Sequence, residues 1–149
     1  MKEKCRCPFE VFRDLVGGGW KLHILWRLNI NDFLEFTEIQ EITHCASGEI
    51  LSSQLKELEE SGFIQRISYP EIPPRIEYHI TGLGRSLWTV LTAMQDWSIN
   101  YMQDMNIGVE EEILEEFKSL KKDRKIQDLV EEIIDEKEPL DDYFDNSIE

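Results

Sequence analysis

Three prolines within five residues, Pro70, Pro73 and Pro74, constrain the fold of this chain more than any other feature. Each fixes its own φ and removes a backbone donor, so the segment cannot lie inside a sheet. β-prone residues flank it: Phe63, Ile64, Ile67 and Tyr69 before, Ile76, Tyr78 and Ile80 after. The segment is therefore a stiff connection between two antiparallel strands. Just upstream, Ile50, Leu51, Leu55 and Leu58 recur at helical spacing, which turns one face of a helix inward. Ser47 suits the N-cap, Glu49 the first turn, and Ser61-Gly62 the stop.

Upstream of that helix, the pattern supplies the rest of a DNA-reading unit. Pro8 to Val16 reads as a first helix with Phe9, Phe12, Leu15 and Val16 on one side, ended by Gly17-Gly18-Gly19. From Trp20 to Leu28, apolar residues almost encircle a second helix, which predicts a buried central element. Leu34 and Phe36 alternate with Glu35 as a short strand able to pair with the hairpin. Thr37 then caps T-E-I-Q-E-I, and Thr43 to Ala46 turns the chain into the Ser47–Ser61 helix. Two helices across a short turn, followed by the hairpin, make a winged helix-turn-helix. The fold class is mainly α with a small antiparallel β wing, an α+β arrangement. Thr81 caps a long following helix with Leu83, Leu87, Leu91, Met94 and Trp97 at helical spacing. Its apolar surface exceeds what one small domain needs, which points to C-terminal dimerisation helices.

Three separated runs resemble one family. They are C-P-F-E-V-F-R-D-L-V-G-G-G-W-K-L-H-I-L-W-R-L from Cys7, L-S-S-Q-L-K-E-L-E-E-S-G-F-I from Leu51, and Y-P-E-I-P-P-R-I-E-Y-H-I-T-G-L-G-R-S-L from Tyr69. In that order, over roughly residues 5 to 105, they resemble the HxlR family of bacterial and archaeal transcriptional regulators. The resemblance implies a homodimer built from N-terminal and C-terminal helices, acting on double-stranded DNA at a palindromic operator, with no cofactor. Some members sense oxidants or electrophiles through a cysteine at the position of Cys7, which implies an oxidant or small-molecule effector. The chain departs from the family where Glu49 and Gln54 replace basic residues and where Gly19 stands in place of a lysine.

The residues that would meet DNA follow from helix geometry. Positions 49, 53, 56 and 60 lie opposite Leu51, Leu55 and Leu58, with Ser52 beside them. In a major groove Ser52 and Ser53 would act through hydroxyls and Lys56 through charge, Gly48 allows close backbone approach, and the N-cap Ser47 belongs to the same DNA-binding set. Gln54 reaches a base edge or phosphate from the flank. Glu49 either satisfies the helix N-terminus or reads a cytosine amine. Arg75, pre-organised by two prolines, enters a minor groove or clamps a phosphate. Lys21 and Arg66 are further phosphate contacts, with a structural salt bridge the competing reading for Arg66.

Cys7 precedes Pro8, so its sulfur sits near the positive end of a helix, where reactive thiolate is favoured. An inert packing cysteine is the competing reading. Cys5, Cys7, His44 and Cys45 offer donors, but the C-x-C spacing is not that of a zinc knuckle and no metal is expected. No nucleophile, base and orienting group form a set, and Gly17 to Gly19 closes a helix where a phosphate loop would open one. An enzyme is not expected.

Net charge is −15 over 149 residues, an awkward value for a DNA partner. It is unevenly spread. Residues 1–107, read as the winged-helix domain, carry 10 Lys and Arg against 15 Asp and Glu. Residues 108–149, an acidic helical extension, carry 6 against 16. Ile113, Phe117 and Leu120 line one side of this extension and Ile126 to Ile134 another, the phase slipping near Lys122. The extension either prolongs the dimer or folds over the cationic surface in competition with DNA. The acidity supports an alternative, a winged-helix protein-interaction module that has lost DNA binding. No apolar run of membrane length and no signal-peptide pattern is present, and three cysteines form no disulfide framework, which predicts a cytoplasmic protein.

Overall fold

The computed structural model describes residues 6–44 and 47–122. The expected features at Cys5, Cys45, Ala46 and the acidic stretch from 123 to 149 lie outside them, as do the side chains of residues 120–122. The elements run α1 (Pro8–Val16), α2 (Lys21–Asn31), β1 (Phe33–Glu35), α3 (Phe36–Thr43), α4 (Gly48–Glu60), β2 (Ile64–Tyr69), β3 (Arg75–Ile80), α5 (Gly82–Arg85), α6 (Trp88–Asp104) and α7 (Glu111–Lys122). This is the mainly α winged helix-turn-helix that the sequence predicts.

Two compact units divide at Leu91 and Thr92, inside α6. The first contains α1 to α5 and the sheet. Its centre is Ile24, Leu25 and Leu28 of α2, Ile39 of α3, and Leu51, Leu55 and Leu58 of α4, all removed from solvent. Each such side chain contributes roughly 1.5–3 kcal/mol of burial, so α4 is held chiefly by its three leucines. Strand order is β1-β3-β2, antiparallel throughout. In the register Leu34 faces Tyr78, Arg66 faces Tyr78 from the other edge, and Tyr69 faces Arg75 at the hairpin mouth. Trp26 and Trp88 stack with centroids 4.8 Å apart. In the second unit Ile99 and Phe117 are buried. No helix among the described residues is long and apolar enough to cross a membrane.

Several local expectations need correction. Phe36 opens α3 and is not part of β1, and Glu35 occupies the N-cap expected of Thr37. The chain leaves the strand still extended at Glu35, and the Glu38 carboxylate accepts the Glu35 N–H at 3.0 Å. That reciprocal geometry starts the helix before Thr37. Thr81 does cap a helix, but only the one-turn α5. Its hydroxyl accepts from Gly84 N–H at 3.1 Å and donates to the Gly62 carbonyl at 2.6 Å. The chain then breaks before α6 begins at Trp88, leaving Leu83 exposed.

The turn that precedes the break is tightly packed. Gly84 is buried so closely on the hairpin that an added Cβ would collide with the Phe63 carbonyl oxygen and the Ile80 side chain. Asn29 secures the same turn, donating to Gly84 O at 3.2 Å and Leu25 O at 2.8 Å. Gly84→Ala is expected to destabilise the protein by about 2 kcal/mol or more, because backbone atoms must move. Urea unfolding followed by circular dichroism checks this; an unchanged midpoint would contradict it.

Candidate nucleic-acid interface

Driving Leu51, Leu55 and Leu58 inward leaves Glu49, Ser52, Ser53, Lys56 and Glu60 exposed along the outer face of α4. Ser47 caps the helix, its hydroxyl accepting from Ile50 N–H at 3.4 Å. Gly48 is open, with only Gln40 Nε2 at 3.8 Å from where a Cβ would stand. Gly62 at φ +85° ends the element and lets the chain turn into β2.

Between α4 and the sheet lies a cleft of ≈ 600 Å³. Ser52 and Lys56 line it from the helix and Arg66 from β2, over a floor of Phe36, Ile76 and Tyr78. Glu59 and Glu60 line it as well. Three of the residues singled out in the sequence are thus brought together from two elements. Neither Lys56 nor Arg66 makes an ion pair among the described residues, so the competing salt-bridge reading of Arg66 finds no partner there.

The remaining cations are engaged elsewhere. Lys21 is buried, its side chain only 7% exposed, and its Nζ lies 2.6 Å from Glu57 Oε2. Arg75 is held at the hairpin mouth. Its guanidinium lies 4.4 Å from the Tyr69 ring centroid, with Glu71 at 3.6 Å and Glu77 at 3.7 Å. Glu77, itself buried, also meets His79 Nε2 at 2.8 Å, and the His79 ring stacks on Phe33.

Gln54 also faces inward. Its Oε1 accepts the Trp20 N–H at 3.1 Å, which supplies an acceptor at the start of α2 where Trp20 is the N-cap. The neighbouring Gly19 has φ +57°, and a Cβ there would sit 2.8 Å from the Gln54 amide. Two of the departures from the family pattern, at positions 19 and 54, therefore touch each other. The 51–54–55–58 spacing carried a signal for this, since it puts Gln54 on the edge of the buried stripe. The part played by Glu57 had no such signal.

Cys7 is exposed at the N-cap of α1, with Pro8 in the first turn. Its carbonyl accepts from Glu10 and Val11 at 3.0 and 3.1 Å. His44 takes a left-handed conformation at the end of α3 and is exposed.

A family model described as HxlR-like helix-turn-helix matches residues 15–106. The uncharacterized HTH-type transcriptional regulator YdeP of Bacillus subtilis strain 168 is 38% identical over 95 residues, covering 64% of this chain and 73% of that one. Among solved structures, the redox regulator HypR in its oxidized form is 33% identical with a TM-score of 0.58, over 63% of this chain and 96% of its own. The putative HTH-type transcriptional regulator ytcD is 32% identical with a TM-score of 0.61, over 66% and 99%.

Removing the partner of Lys21 tests the clamp on α4. Glu57→Ala leaves a buried ammonium uncompensated and is expected to cost about 1–2 kcal/mol, less than a fully buried pair because Glu57 is half exposed. Denaturant unfolding checks it, and a loss under about 0.3 kcal/mol, the level of an ordinary surface change, would mean the pair is inert.

Proposed function

The chain belongs to the HxlR-like helix-turn-helix family, and we propose that it acts as a homodimer gripping a palindromic operator, one α4 in each of two major grooves. It is a transcriptional regulator of the helix-turn-helix type, and its relatives are regulators, not enzymes. The observation that carries the finer reading is the cleft beside α4. Lys56 and Arg66 line it from two elements without ion-pair partners among the described residues, next to the Ser52 hydroxyl. A phosphodiester strand following the edge of the major groove meets cations and a donor at that position. Ser53 and Glu49 then face base edges, and the Gly48 backbone stays accessible.

Dimerisation is supported by unpartnered apolar surface. Trp97 is 67% exposed and stacks on Tyr101 at 5.2 Å, Met105 and Ile107 are exposed on the same unit, and Phe9 of α1 is 86% exposed. A cytoplasmic location belongs to the same reading.

HypR is named as a redox regulator and is similar in fold to this chain. Exposed Cys7 at the start of α1 supplies a comparable handle, although it lies ahead of the segment matched by the family model. Peroxide would oxidise the Cys7 thiol to sulfenic acid, one oxygen passing to sulfur while the peroxide is reduced to water. An electrophile would instead alkylate the sulfur. Either change alters packing between subunits and so the spacing of the two α4 helices.

Two cations per protomer give about four phosphate contacts per dimer. Binding to duplex DNA should then weaken with a log–log salt slope of about −3 to −4, and Lys56→Ala should make that slope shallower by roughly 2. Fluorescence anisotropy between 20 and 300 mM salt measures both. Absence of binding at low salt would favour the interaction module.

The sensing role has its own test. Peroxide or a quinone should change duplex affinity several-fold in the wild type and not in Cys7→Ser, with the modification located by mass spectrometry. Unmodified Cys7 and unchanged affinity would remove sensing and leave the regulator.

A further inference from the structure

We propose that the wing meets DNA through an apolar tip: Ile72, braced by Pro70 and the Pro73-Pro74 pair, wedges into the minor groove flanking the major groove read by α4. This rests on the DNA-binding reading given above and assigns the wing a chemistry different from a cationic clamp.

Neither of the wing's two arginines is at its tip: Arg66 lies on β2 and lines the cleft beside α4. Arg75 is the last residue paired across the hairpin, opposite Tyr69, and is fastened there by the Tyr69 ring, Glu71 and Glu77. Beyond it, residues 70–74 are all exposed and contain no positive charge. Glu71, the only charged group among them, is paired back to Arg75. What the hairpin offers a neighbour is Ile72, the most exposed large hydrophobic residue among the described ones and fully open to solvent.

The tip is built to keep that side chain presented. Three prolines restrict the backbone, and Glu71 N–H is bonded to Tyr69 O at 2.8 Å. Little conformational freedom is therefore lost on binding, which favours contact by a small apolar group. Reach is also suitable. Arg66 lines the phosphate cleft, and Pro70 lies four residues further along an extended strand, roughly 13 Å at 3.3 Å per residue. A major groove and the next minor groove are separated by half a helical turn, roughly 17 Å.

A branched aliphatic chain suits a minor groove about 6 Å wide, whose walls are apolar deoxyribose faces. Apolar wedges there partly unstack a base step and bend the duplex toward the major groove. The wedge would act at pyrimidine–purine steps, the easiest to unstack, and so would select sequence outside the bases that α4 touches.

The test uses the full chain and 40-base-pair duplexes recovered from a random pool by the wild type, with affinity read by anisotropy and bending by circular-permutation gels. Ile72→Ser, at a fully exposed site, should fold normally and bind about tenfold or more weakly, with less bend and the same salt slope. Ile72→Leu should retain both affinity and bend. Equal affinity and bend for Ile72→Ser would overturn the wedge and turn the tip toward a protein partner. A fall in salt slope would overturn it too, since Ile72 would then be acting through phosphate contacts. Failure of the wild type to recover any duplex would instead overturn DNA binding itself, and the wedge with it.

Discussion

Packing of α4 through Leu51, Leu55 and Leu58 is the interaction on which the rest of the structure depends. Burial of apolar surface is strong but has no direction, so it fixes how deeply a helix sits better than how it is rotated. The rotation is settled by two polar ties on the edge of the same stripe, Gln54 to the Trp20 N–H and Glu57 to Lys21 Nζ. Advancing the helix by one residue turns it by about 100°, which would break both ties and move Lys56 away from the cleft. The outward face is therefore a by-product of the inward one. Ser52, Ser53 and Lys56 are presented because their neighbours are held.

Charge has a smaller part in this interface than is usual for a protein that reads DNA. Of the four cations nearest α4 and the wing, Lys21 and Arg75 neutralise carboxylates of their own chain. Glu49, Glu59 and Glu60 lie on or beside the exposed face of α4. If this face meets DNA as proposed, it gains little from sequence-independent attraction, and its affinity would fall more heavily on hydroxyl contacts, shape and apolar fit. Low background binding to arbitrary DNA would be the corresponding benefit.

Much of the fold was legible because its signals are local. The helical spacing of Leu51, Leu55 and Leu58, the stop at Gly62 and the β runs divided by prolines identify α4 and the wing within 35 residues. The α5 break was hidden for a physical reason. Leu83, Leu87 and Leu91 keep helical phase across it, while the packing of the turn before it, Gly84 against the Phe63 carbonyl, joins residues 21 apart in sequence. The site was legible where exposure alone decides, at Ser52, Ser53 and Lys56. It was not legible at Lys21 and Arg75, polar residues whose partners are set by packing between elements, and at Gln54 the spacing showed the inward edge but not the partner. A lysine at a helix start reads as surface until the glutamate 36 positions later is seen beside it.

The contact between Gly19 and Gln54 has a consequence for how this lineage can change. A side chain at position 19 must adopt a left-handed backbone and also displace the Gln54 amide, so it is penalised twice. Exchanging Gln54 first strands the Trp20 N–H without its acceptor. Each single step toward a more cationic surface thus passes through a less stable protein. The pair resists piecemeal change, and a variant with positive residues at both positions would have to change them together or gain stability elsewhere first.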